Sequence, residues 1–204
     1  MNRKSKPSHR TFLTALACAA SLALAGCGNS GPAEEPPLAG SSIGGDFTLT
    51  GSDGNPVGWS DFAGKYRVVY FGYAYCPDIC PNDMNQIARG LKKLGANDPG
   101  KRAKIKPIFI TIDPERDTPE VVGQFANAFS PDFTGLTGTP EQIADVAKKF
   151  AVYYGKEGDA GGDQYLMSHS NIVYLFGPDG QPLATLPADQ GPDAVAAELE
   201  KWVS

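Results

Sequence analysis

Apolar residues recur along this chain in two alternating patterns, and the alternation predicts its elements. Arg67-Val68-Val69-Tyr70-Phe71-Gly72 is a near-continuous apolar run, as expected of a strand covered on both faces. Met84, Ile87, Leu91 and Leu94 then recur at spacings of three and four, which marks one face of a helix. Residues 105–112 return to a strand-like run, and Pro107 near its start does not forbid one. Asp117-Thr118-Pro119-Glu120 reads as a helix start, with an acid as cap and proline in the first turn. Val121, Val122, Phe125 and Phe129 continue that helix. A third helix is predicted from Thr139-Pro140-Glu141 through Ile143, Val146, Ala147 and Phe150. Residues 171–176 and 182–186, separated by Gly177-Pro178-Asp179-Gly180, predict a hairpin. A closing helix follows from about Pro192 to Trp202, and a smaller hairpin surrounds Asp53-Gly54-Asn55-Pro56 near the start.

Strand, helix, strand, two helices, hairpin and helix describe a parallel βαβ unit followed by an antiparallel pair. The fold class is therefore α/β, a thioredoxin-like fold with a central mixed sheet flanked by helices. Residues 45–204 are enough for one domain with a substantial core. No internal repeat interrupts it.

The first residues change the picture by fixing a compartment. Arg3, Lys4, Lys6 and Arg10 precede a mostly apolar stretch from Thr11 to Ala25, too short for a permanent membrane span. It ends in Leu24-Ala25-Gly26-Cys27, which is similar to a bacterial lipobox. Residues 1–26 are thus expected to be a lipoprotein signal peptide, with Cys27 lipidated as the first mature residue. Several acyl chains, at about 0.8 kcal/mol per buried methylene, make a stable anchor. Residues 27–44, rich in Gly, Pro, Ser and Ala, are expected to form a flexible tether. The domain is then expected in the cell envelope, in the periplasm or otherwise outside the cytoplasmic membrane, where disulfides persist.

Removing residues 1–26, with their four cations and no acid, takes the formal net charge from −5 to −9. That balance argues against nucleic acid as a partner and against polybasic membrane binding. Processing also removes Cys18 and commits Cys27 to lipid, so Cys76 and Cys80 are the thiols left for chemistry.

Those two cysteines follow the first long strand, where a helix N-terminus favours a thiolate. Pro77 and Pro81 push the residue before each away from helical geometry. Cys76 to Cys80 is therefore expected to be an ordered loop, with the helix starting near Pro81. A loop of this length brings two sulfurs within reach of a disulfide or of one metal ion. An inert disulfide staple is the plainest alternative, although stabilising disulfides gain more from longer loops. The one histidine outside the leader, His169, precedes the predicted hairpin. In a thioredoxin-like layout that loop faces the cysteines. Two thiolates and one imidazole are fewer donors than structural zinc uses, whereas Cu(I) accepts three and favours sulfur, and Cu(II) can add a further ligand.

Five motifs occur in order: Tyr70-Phe71-Gly72-Tyr73 with Cys76-Pro77-Asp78-Ile79-Cys80-Pro81; Thr111-Ile112-Asp113-Pro114-Glu115-Arg116-Asp117-Thr118-Pro119; Gly135-Leu136-Thr137-Gly138; His169-Ser170 before Tyr174-Leu175; and Gly177-Pro178-Asp179-Gly180. Together they resemble the Sco/SenC family over the whole mature domain. The resemblance implies a thioredoxin-fold copper protein, a metallochaperone that helps assemble the dinuclear copper centre of cytochrome c oxidase subunit II. It implies Cys76, Cys80 and His169 as ligands of one copper ion, Cu(I) or Cu(II). Implied partners are subunit II and a periplasmic copper donor, with the membrane reached through the lipid anchor. The same cysteines are alternatively a redox-active pair that reduces the disulfide of that subunit.

Competing readings are a thiol–disulfide oxidoreductase, a peroxiredoxin-like thiol peroxidase and a copper or redox sensor. His169 separates them, since a dithiol oxidoreductase does not need it. Asp117 reads as a helix cap, Arg116 as an ion-pair or docking residue and Asp78 as an exposed contact or occasional Cu(II) ligand. Met84 and Met167 read as core, and Tyr73 and Tyr75 as a shield over the cysteine loop.

Overall fold

A computed structural model describes residues 1–2, 34–158 and 165–204. The leader, Cys18 and Cys27 lie outside the described residues. Residues 36–204 form one compact unit.

The chain runs through β1 (Thr48–Gly51), β2 (Pro56–Gly58), a 3-10 turn at Trp59–Phe62, β3 (Tyr66–Gly72), α1 (Ile79–Asn97), α2 (Pro99–Ala103) and β4 (Ile105–Thr111). It continues through α3 (Pro119–Phe129), β5 (Thr134–Thr137), α4 (Pro140–Lys149), β6 (Tyr154–Glu157) and β7 (Leu166–His169). The hairpin β8 (Val173–Phe176) and β9 (Pro182–Leu186) and the helix α5 (Pro192–Trp202) close it. Seven strands form one sheet in the order β2-β1-β5-β4-β3-β8-β9, and β6 pairs with β7 apart from it. β3, β4 and β5 are parallel neighbours, while β8 joins β3 antiparallel and β1 joins β5 antiparallel. The sheet is mixed and flanked by helices, as the apolar pattern predicts.

β3 is buried along its whole length, which explains its continuous apolar run. α1 packs on α5, and Gly90 permits the approach: a Cβ there would lie 2.5 Å from Val195 Cγ1. Thr118 and Thr139 cap α3 and α4, each accepting the backbone N–H three residues on. The cap of α3 is therefore Thr118, not Asp117, because the Asp117 side chain is wholly buried and engaged elsewhere.

Two further differences concern the sequence reading. Part of the expected tether lies against the domain: Leu38 N–H donates to Leu183 O, Gly44 N–H donates to Lys149 O, and Leu38 and Ile43 pack on the core. These two apolar side chains supply the burial that the rest of the Gly- and Pro-rich stretch lacks. The second difference is at α1, which begins at Ile79, so Cys80 stands in its first turn and not in a loop. Pro81 is tolerated there because the first-turn N–H groups have no intrahelical acceptor. Among the described residues no helix is long and apolar enough to cross a membrane.

Candidate metal centre

The end of β3 and the start of α1 carry the cysteines. Gly72 closes β3 without a side chain, and a Cβ there would lie 3.0 Å from Cys80 Sγ. The Cys80 backbone N–H donates to Cys76 Sγ at 3.4 Å, so the helix start supplies a donor to the first sulfur. Both thiols are free; Cys76 is 9% exposed and Cys80 fully buried.

β7 brings His169 from the other side. Its Nδ1 lies 3.0 Å from Ser170 O. A carbonyl only accepts, so Nδ1 carries a proton, and in the neutral ring the Nε2 lone pair is free. That Nε2 lies 3.2 Å from Cys80 Sγ. The ligand atoms of Cys76, Cys80 and His169 all lie within 4.8 Å of one another. Burial pushes the Cys80 thiol well above its ordinary range, and the neighbouring Cys76 adds to this, while the Tyr73 backbone works the other way. A cation bound between the sulfurs would reverse that bias, because it favours the thiolate.

The remaining motifs hold this arrangement in place. Asp117 Oδ2 accepts the N–H of Ala74 at 2.9 Å and the Thr111 hydroxyl at 2.6 Å. The carboxylate thereby ties the loop before Cys76 to the end of β4. Arg116 pairs with Asp113, donates to Tyr165 O at 2.9 Å and stacks 3.7 Å from the Tyr165 ring centroid, which joins the loop after β4 to the approach of β7. Tyr75, 55% exposed, lies 5.2 Å from the Arg116 carbon and covers the guanidinium.

Tyr73 is buried and touches His169 edge to face at 6.2 Å, with its hydroxyl accepting the Met167 N–H. Asp78 is exposed at the N-cap of α1, while Met84 is fully buried and Met167 nearly so. Two residues beside the site have no role assigned from the sequence, although Tyr70 opens the first family motif. Tyr70 lies edge to face with His169 at 6.3 Å and donates to Asp83 Oδ2 at 3.0 Å. Asp83 is 1% exposed. Its signal in the sequence is a charge lying three residues after Cys80 and four before Ile87, on the apolar stripe of α1.

A pocket of about 490 Å³ lies at the opposite end of β3, lined by Lys65, Arg102, Lys106 and Asp132. Its cations are engaged: Arg102 pairs with Asp132, Lys106 donates to Asp132 O and Lys65 donates to Ala103 O.

The SCO1/SenC family model matches residues 35–204. The chain is 40% identical over 152 residues to Protein SCO1 homolog 1, mitochondrial, of Arabidopsis thaliana, covering 74% of this chain and 44% of that protein. It is 40% identical over 141 residues to Protein SCO2, mitochondrial, of Saccharomyces cerevisiae, covering 69% and 46%. The chain thus spans about half the length of these curated relatives. Among solved structures, Bradyrhizobium japonicum ScoI with copper bound superposes with a TM-score of 0.70 at 36% identity, covering 78% of this chain and 99% of that one. Yeast Sco1 with copper bound gives 0.72 at 32% identity, covering 79% and 88%. With its domain matched end to end and its cysteine and histidine motifs in one site, the chain belongs to the SCO1/SenC family.

Proposed function

We propose that the chain holds one copper ion through Cys76, Cys80 and His169 and delivers it in assembly of the dinuclear copper centre of cytochrome c oxidase subunit II. The observation that carries this reading is the convergence of two sulfurs and one imidazole nitrogen within 4.8 Å. The copper-bound structures of Bradyrhizobium japonicum ScoI and yeast Sco1, both above 30% identity, support copper as the ion. Two thiolates and an imidazole suit Cu(I) in three-coordination, and Cu(II) with one further ligand. Cys80 is sealed, so a partner's donor atoms would reach the ion from the side of Cys76 and His169.

The proposed organisation is a signal peptide at residues 1–26, a lipid on Cys27, a tether to residue 44 whose last part from Leu38 packs on the domain, and the copper domain from residue 45 to 204. The basic leader and the lipobox-like Leu24-Ala25-Gly26-Cys27 support anchoring in the envelope. A periplasmic copper donor would load the site.

A second reading has its own observation. Cys76 and Cys80 are both free and their sulfurs lie close together. The pair would reduce a partner disulfide by attack of one thiolate, then release the partner's second thiolate as its own disulfide closes. Holding copper and giving up electrons use the same atoms, so each state excludes the other.

Copper titration of the reduced chain tests the first reading. One equivalent is expected to bind, the oxidised chain to bind little, and His169→Ala to lose about tenfold or more in affinity while still forming the Cys76–Cys80 disulfide. Unchanged affinity and spectrum in His169→Ala would remove His169 from the site. Rapid turnover of a disulfide or peroxide substrate would favour the redox reading.

A further inference from the structure

Asp83 is a costly residue for its position. It lies on the buried stripe of α1 among Cys80, Met84, Ile87 and Leu91, where an apolar side chain would be favourable. Its Oδ2 accepts the Tyr70 hydroxyl, but Oδ1 has no hydrogen-bond partner among the described residues. It borders a pocket of about 470 Å³ shared with Asn171 and Asp189. A carboxyl buried with one partner destabilises a fold, so its place beside a metal centre calls for a role there.

The contacts identify that role. His169 is flanked edge to face by Tyr70, at 6.3 Å and 78°, and by Tyr73, at 6.2 Å and 89°. Tyr73 is secured by the Met167 N–H from β7, the strand that carries His169 itself. Tyr70 is secured by Asp83. The Tyr70 ring and the Cys80 sulfur are neighbours, since a Cβ on Gly72 would lie 3.1 Å from Tyr70 Cε1 and 3.0 Å from Cys80 Sγ. The Tyr70 hydroxyl has one proton to donate, and it goes to Asp83 Oδ2 at 3.0 Å.

We propose that Asp83 is a positioning residue: through the Tyr70 hydroxyl it fixes one of the two aromatic walls that hold the His169 ring with Nε2 towards Cys80. The proposal rests on Cys76, Cys80 and His169 being the copper ligands, but its geometry is a property of the metal-free chain. Asp83 has no hydrogen bond to Cys76, Cys80 or His169; its hydrogen bond is to Tyr70, and its charge also interacts with His169 at longer range.

The test uses the reduced full chain with Asp83→Leu, Asp83→Asn, Tyr70→Phe and the Asp83→Leu/Tyr70→Phe pair. The His169 ring ¹⁵N resonances are read without metal and assigned by their loss in His169→Ala. Wild type and Asp83→Asn, which keeps an acceptor for Tyr70, are expected to give one tautomer with Nδ1 protonated. Asp83→Leu and Tyr70→Phe are expected to give mixed tautomers. With one equivalent of copper, Asp83→Leu should release the ion about tenfold to a hundredfold faster, Asp83→Asn at the wild-type rate, and the pair no faster than Tyr70→Phe alone. A wild-type His169 spectrum in Asp83→Leu would overturn the proposal, as would an equal Asp83→Leu effect in the Tyr70→Phe background. Should Asp83→Leu not fold, a wild-type spectrum in Tyr70→Phe overturns it alone. Failure of copper binding in every variant, wild type included, would instead count against the copper reading and leave the ¹⁵N outcome to decide this one.

Discussion

At the scale of single residues, the site depends on what is missing as much as on what is present. Gly72 leaves room for the Cys80 sulfur, and a Cβ there would stand 3.0 Å from Sγ, 3.1 Å from Tyr70 Cε1 and 3.2 Å from Phe109 Cε2. Gly72→Ala is therefore expected to destabilise the fold by about 1–3 kcal/mol in urea unfolding, and to weaken copper binding by moving Cys80. An unchanged urea midpoint and copper affinity would contradict the packing. The candidate donors Cys76, Cys80 and His169, which the structure brings together, are legible in the sequence because their chemistry is specific and few such side chains occur. Tyr70 and Asp83 were not legible. Tyrosine in an apolar strand reads as core, and aspartate beside Asn82 and Asn85 reads as surface until the helical phase puts it on the buried stripe. The role of Tyr70 arises from contact with His169 far along the chain, and that of Asp83 from its contact with Tyr70 across the β3–α1 turn, neither of which a local pattern records.

At the scale of elements, legibility follows length and burial. β3, β4, β8 and α1 announce themselves by long apolar runs or a helical stripe, and all lie in the core. β5 spans four residues and contains Gly135 and two threonines, so its sequence has no strand period. β6 and β7 carry exposed and half-buried positions apart from the buried Met167, and gain their pairing only from each other. The start of α1 was misplaced because local proline preference at Cys80 yields to the tertiary setting, in which Cys80 must fill the space beside Gly72. The α1–α5 contact gives a second prediction. Gly90→Ala gains up to about 1 kcal/mol of helix propensity but places Cβ 2.5 Å from Val195 Cγ1. The clash is expected to win by about 1–2 kcal/mol, and Val195→Ala in the same chain to recover part of the loss. Stabilisation by Gly90→Ala alone would contradict the close approach.

At the scale of the whole molecule, four of the five family motifs converge on one end of the sheet, where buried carboxyls stand behind the cysteine loop, while the Gly177–Gly180 turn lies at the other end beside the start of β3. Burial raises the Asp117 carboxyl above its ordinary value, against hydrogen bonds from Thr111 and Ala74 that lower it, with Asp113 raising it and Arg116 lowering it. Between the unfolded value and that raised folded value the folded chain binds more protons, so this group's contribution to stability falls as pH rises through the window. Asp117→Asn removes that dependence. The stability difference between Asp117→Asn and the parent should therefore shift in favour of the variant as pH rises from 4 to 7, measured by urea unfolding at each pH; a flat difference would contradict the assigned direction. The central claim, that two sulfurs and one imidazole hold one ion, is tested most directly by X-ray absorption at the copper edge of the reduced chain loaded with one equivalent. The account predicts a first shell of two sulfurs and one nitrogen, with the nitrogen lost in His169→Ala. A sulfur-only shell, unaltered by that substitution, would contradict it.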